Sequence, residues 1–73
     1  MSTDSEDQLL DRRGISELSV EELGPGARIT VSRIEKLAMV GKGPPVDAQL
    51  GPKHLTTKRN ARPWLRSLLQ PVA

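Results

Sequence analysis

Ser32, Arg33 and Lys36 fall within about one turn of each other if residues 30–40 are helical. Arginine can hydrogen-bond guanine through two N–H groups at once, and serine or lysine can contact bases or phosphates. Thr30 stands where an N-cap would, with neighbouring N–H groups that could meet a phosphate. Glu35 is the acid in this set; it could accept from cytosine or pair with a nearby base. Arg28 and Lys42 flank the run and could clamp phosphates. Further along, Lys53 and His54 mark a hairpin tip, and Lys58, Arg59 and Arg62 open the last helix. All are groups a phosphate backbone would meet, and the plain alternative is a solvated polar surface.

Little else could do chemistry. His54 is the one histidine and has no nucleophile and carboxylate constellation around it in the sequence. With no cysteine, neither a disulfide framework nor a thiolate metal site can form. No metal-ligand cluster, P-loop or dinucleotide fingerprint occurs, and Gly24-Pro25-Gly26 reads as a turn rather than a phosphate cradle. The expectation is a non-enzyme with no cofactor.

Charge is distributed unevenly. Residues 1–22 carry seven acids against two bases, net −5, whereas residues 23–73 carry nine bases against two acids, net +7. The second part suits a polyanion, and nucleic acid is the natural partner. Seventy-three residues make one domain at most. Phe and Tyr are absent, so the core must be aliphatic with Trp64 as its one large piece. The apolar runs are too short for a membrane span, and the acidic start is the opposite of a signal peptide. A soluble cytoplasmic protein, nucleoid-associated when bound to DNA, is expected.

The elements that must position these residues follow from local signals. Residues 1–8 read as a disordered acidic arm, 9–70 as the domain and 71–73 as a tail. Leu9 and Leu10 precede Asp11-Arg12-Arg13-Gly14, which reads as an entry strand or turn onto a helix. Ser16 or Ser19 could N-cap that helix, Ser19 with Glu22 matching a capping box. Gly24-Pro25-Gly26 stops it after Leu23. Val31, Ile34, Leu37 and Ala38 form the core stripe of a second helix, capped by Thr30 or, more weakly, Ser32, and closed by Gly41. Short extended runs at 46–50 and 54–57 flank Gly51-Pro52-Lys53 as a hairpin. Ala61, Trp64, Leu65 and Leu68 space as the stripe of a last helix, with Trp64 in the core rather than a platform for stacked bases. Asn60 as its cap would leave Pro63 in the first turn, where it is tolerated; Thr57 as cap would put Pro63 deeper and cost more. The helix should end near Gln70, before Pro71.

The run Thr30-Val-Ser-Arg-Ile-Glu-Lys-Leu-Ala-Met-Val-Gly-Lys-Gly-Pro-Pro45, then Leu50-Gly51, then Trp64-Leu65, resembles the small winged helix-turn-helix proteins of the excisionase and AlpA-regulator type, related in fold to the DNA-binding domain of MerR regulators. The likeness covers roughly residues 9 to 69. It rests on the order and spacing of motifs that are each weak alone. It implies a mostly α fold with a small β-hairpin, a recognition helix carrying Thr30, Ser32, Arg33 and Lys36, and a wing carrying Lys53 and His54. Three departures stand out. Gly24-Pro25-Gly26 interrupts where the family's first helix continues, implying a short helix and a remodelled turn. The segment between Pro45 and Leu50 is one residue longer. The second wing strand reads His54-Leu55-Thr56-Thr57, without the family's arginines and aromatic, which implies a weaker phosphate grip by the wing, with Lys58 and Arg59 compensating.

What the resemblance implies is a sequence-specific DNA-binding protein of the excisionase class, a recombination directionality factor. Such proteins bind double-stranded DNA beside an attachment site of a phage or mobile element, with further copies of themselves, and bend it. They thereby steer a tyrosine integrase toward excision. A small phage or mobile-element transcription regulator is the alternative. A protein-binding anti-activator on a helix-turn-helix scaffold is the alternative of another class.

Overall fold

Asp11 starts the first helix. In a computed structural model that describes residues 6–69, its extended backbone leads into α1 (Arg12–Leu23), and its carboxylate accepts from Gly14 N at 2.9 Å. Ser16 and Ser19 are therefore not caps; both lie inside α1 and are buried. Their hydroxyls fasten the next segment instead. Ser19 Oγ accepts from Ile29 N at 2.9 Å, and Ser16 Oγ accepts from Arg28 Nε at 3.4 Å. The helix stops at Leu23 as expected, but its early start gives it 12 residues, so it is not short. A single 3-10 turn, Pro25–Ala27, makes the remodelled connection.

Thr30 caps α2 (Val31–Met39) as the sequence indicates, its hydroxyl accepting from Arg33 N at 3.2 Å. The far end closes with Gly41 N donating to Ala38 O at 3.1 Å and Lys42 N to Leu37 O at 2.8 Å. These paired bonds form a Schellman motif, and Gly41 supplies its left-handed residue at φ 78°. Just beyond, Gly43 lies against α2 so closely that a Cβ there would stand 2.8 Å from Ala38 Cα. Gly43→Ala must push backbone against backbone, with an expected loss of about 1–3 kcal/mol. Gly26→Ala, in open space, should be near neutral. Urea titrations of the two variants test the contrast.

The strands form a three-stranded antiparallel sheet of β1 (Leu9–Leu10), β2 (Ala48–Leu50) and β3 (Lys53–Thr57), with β3 central. Leu9 pairs with Thr57, and Ala48, Gln49 and Leu50 pair with Leu55, His54 and Lys53. Against expectation, β2 begins two residues later, β3 begins one residue earlier, and a third strand joins the hairpin. The turn is Gly51-Pro52 alone. Gly51 takes φ 60° while the proline ring holds the next φ negative, the sign pattern of a type II′ turn, whose twist suits a hairpin.

Thr57, not Asn60, caps α3 (Lys58–Ser67), so Pro63 lies within the helix. Several bonds to the helix start help offset that cost. Thr57 Oγ1 accepts from Asn60 N at 3.3 Å, and the Asp47 carboxylate collects Thr57 N at 2.8 Å and Asn60 Nδ2 at 2.9 Å. Backbone carbonyls of Gln8 and Glu6 accept from Lys58 N and Arg59 N. Residues 6–8, assigned above to a disordered arm, are thus placed against the start of α3; residues 1–5 and 70–73 lie outside the described residues. The last helix ends at Ser67, short of Gln70.

Ile15 and Leu18 of α1, Ile34 of α2, and Ala61 and Leu65 of α3 make the buried core. Leu10, Leu23, Ile29, Trp64 and Leu68 pack around it, half-buried. Three helices on a small sheet make the protein mostly helical. No helix among the described residues is long and apolar enough to cross a membrane.

Candidate nucleic-acid interface

Burial of Ile34 fixes the rotation of α2. At about 100° per residue, its opposite side is Ser32, Lys36 and Met39, all exposed. Arg33 and Glu35 occupy the two flanks. On the Arg33 side an open cavity of about 600 Å³ runs between the α1–α2 turn, α2, its exit loop and the end of α3. Arg28, Arg33 and Lys42 line it together with Leu23, Ile29 and Leu68, and no acid does. On the Glu35 side lie grooves of about 560 and 270 Å³ that reach the hairpin, both lined by Arg12, Glu35 and His54. Lys53 lines the smaller one.

Among the described residues, the side chains of Ser32, Arg33, Lys36, Lys42 and His54 make no hydrogen bond or ion pair. Lys53 Nζ stands 3.7 Å from Asp11 Oδ2, an exposed pair of the kind that contributes little. Trp64 Nε1 donates to Lys42 O at 3.1 Å. The indole thereby ties the α2 exit loop to α3 at the edge of the core, while the Lys42 side chain stays exposed.

Lys58, Arg59 and Arg62 are not brought together with α2. Arg59 pairs with Asp7 at 2.7 Å. Arg62 bonds Glu6 through Nε at 3.1 Å and Glu22 through a terminal nitrogen at 2.7 Å. Lys58 lines a separate cavity with Leu10, Gly14 and Leu18 on the far face of α1. Acids of the first part of the chain thus pair with Arg59 and Arg62 near the start of α3. Sequence separation hid this: 56 residues divide Glu6 from Arg62. Arg12 was missed for the same reason. It belongs to the acidic half, yet its NH1 stands 3.6 Å from Glu35 Oε2.

Two carboxylates are tuned by their partners. Glu22 has a side chain only 4% exposed and accepts from Arg62 and Arg66. The hydrogen bond from Arg62 holds its pKa below the ordinary value, against a burial effect that raises it, with Arg66 adding to the lowering. Asp47 is also held low, first by Thr57 N, then by Asn60 and the Thr57 hydroxyl. A carboxylate with a depressed folded pKa stabilises the protein above its unfolded pKa. That contribution is lost as pH falls through the folded value. The melting temperature should therefore hold at neutral pH and drop below the ordinary carboxylate range. Glu22→Gln should cost about 1–3 kcal/mol at pH 7, because guanidiniums rather than apolar mass cover the carboxylate. Its melting curve should approach that of the unaltered protein in acid. Thermal melts from pH 7 to pH 2 measure both effects.

Among the described residues, no group of three or more His, Cys, Asp or Glu side chains is placed to hold a metal ion. What the arrangement can do is bind an extended anion along α2, between cations on one flank and the hairpin on the other. No protein-family model, curated protein or solved structure matches the chain.

Proposed function

We propose that this protein binds double-stranded DNA sequence-specifically as a winged helix-turn-helix. In this reading α2 is the recognition helix in the major groove and the β2–β3 hairpin is the wing. The observation that carries it is the placement of cations around one exposed helix face. Ser32 and Lys36 face outward, Arg28, Arg33 and Lys42 share an acid-free cavity on one flank, and Lys53 and His54 stand across the other. A helix in the major groove has phosphate backbones on both sides, and this distribution suits them. Lys58, Arg59 and Arg62 are left out of the contact set because they lie with Glu6, Asp7 and the far face of α1.

The family resemblance carries the reading further, to an excisionase that bends attachment-site DNA in several copies and directs a tyrosine integrase toward excision. Bending by small subunits is physically reasonable, since each supplies phosphate contacts that offset deformation. Transcription regulation by the same binding is the close alternative. A protein-binding role draws on a different observation: Met39 is 85% and Val40 66% exposed at the end of α2.

Selection from random duplexes and from duplexes flanking the protein's own gene, repeated across a salt series, tests the proposal. Sequence-selective binding that weakens with salt supports it, and direct repeats beside an attachment core favour excision over regulation alone. Absence of binding at low salt would overturn it and favour a protein partner.

A further inference from the structure

Glu35 is the one acid on α2, on a helix face otherwise built for an anion. Phosphates repel a carboxylate, so at a DNA-facing surface it needs either a cation or a base edge that donates. The cation is Arg12, which comes from the first turn of α1. The contact of 3.6 Å is longer than a hydrogen bond. Glu35 makes no hydrogen bond among the described residues, its side chain is 53% exposed, and it lines both grooves between α2 and the hairpin. Arg12 offsets its charge without hydrogen-bonding it, so the carboxylate keeps its capacity to accept.

In the major groove only two bases donate: cytosine through N4 and adenine through N6. Adenine also presents N7, an acceptor that repels a carboxylate, while cytosine offers its donor alone. We propose that Glu35, oriented by Arg12, reads a cytosine on the hairpin side of α2 and so sets one position of the recognised sequence. This rests on the DNA-binding reading above. Arg12 is here a positioning residue, acting through Glu35.

The test compares sites selected from random duplexes by the unaltered protein, Glu35→Gln and Arg12→Ala, each checked for folding by its thermal melt. Glu35 is exposed enough that Glu35→Gln should fold normally. Glutamine both donates and accepts, which matches adenine N7 and N6. Glu35→Gln should therefore reduce the preference for C at one position about tenfold, or turn it to A, while the other positions stay the same. Arg12→Ala should weaken preference at that same position. An unchanged selected sequence with Glu35→Gln would overturn the assignment of Glu35. An altered sequence with Glu35→Gln but not with Arg12→Ala would overturn the role of Arg12. If the unaltered protein enriches no sequence, it is the DNA reading itself that fails.

Discussion

Ile34→Ala is expected to lower folding stability by about 2–5 kcal/mol, combining lost burial with the cavity left behind. Ile34 is fully buried and is the only α2 residue in the buried core, facing Ile15 and Leu18 of α1 and Ala61 and Leu65 of α3. Neighbouring groups have little freedom to close the gap, because α1 and α3 are tied independently by Glu22, Arg62 and Arg66. Domains of this size sit toward the low end of about 5–15 kcal/mol, and no disulfide supports this one. A loss at the upper end of that range would leave a sizeable unfolded fraction at room temperature. Urea unfolding should show the midpoint falling with an unchanged slope, and Ile34→Val should cost only about 0.5–1.5 kcal/mol. A shift for Ile34→Ala no larger than that of a surface change would mean that α2 is not anchored through this side chain, and the orientation of Ser32 and Lys36 would lose its basis.

Local signals were legible in the sequence because they act within a turn. Thr30 and Gly41 bracket α2 through bonds to residues three to five positions away, and Gly24-Pro25 stops α1 whatever the rest of the chain does. The stripe of Ala61, Leu65 and Leu68 identified the last helix even though its cap was misplaced. What stayed hidden depends on partners far along the chain. Ser16 and Ser19 look like caps, and only the packing of residues 28 and 29 against α1 reveals them as buried clasps. Thr57 outcompetes Asn60 as the cap because Asp47 and the carbonyls of Glu6 and Gln8 converge on its helix start, a convergence no local pattern announces. The candidate site divided in the same way. Exposure of Ser32, Arg33 and Lys36 followed from the position of Ile34, whereas the pairing of Arg59 and Arg62 with the N-terminal acids, and of Arg12 with Glu35, needed the fold.

On the DNA-binding reading, replacing Arg28, Arg33 and Lys42 together by alanine should have the largest effect on affinity. The three come from the α1–α2 turn, α2 and its exit loop, yet they line one cavity without an acid. Each phosphate they neutralise releases counterions, contributing about 0.9 to the slope of log affinity against log salt. Removing all three cations should therefore reduce that slope by about 2.7, which near 0.1 M salt is roughly a 10²–10³-fold loss of affinity. All three side chains are exposed and make no ion pair among the described residues, so the stability cost should be confined to the one long hydrogen bond that Arg28 donates to Ser16, and thermal melts should confirm that the triple variant stays folded. Arg33→Ala alone should also relax the selected sequence if its guanidinium reaches a base. Arg59→Ala is the informative control. Its cation already faces Asp7 on another part of the surface, so the salt slope should stay the same. If the triple variant kept full affinity while Arg59→Ala reduced it, the DNA would lie along the start of α3, and the role assigned to α2 would be wrong.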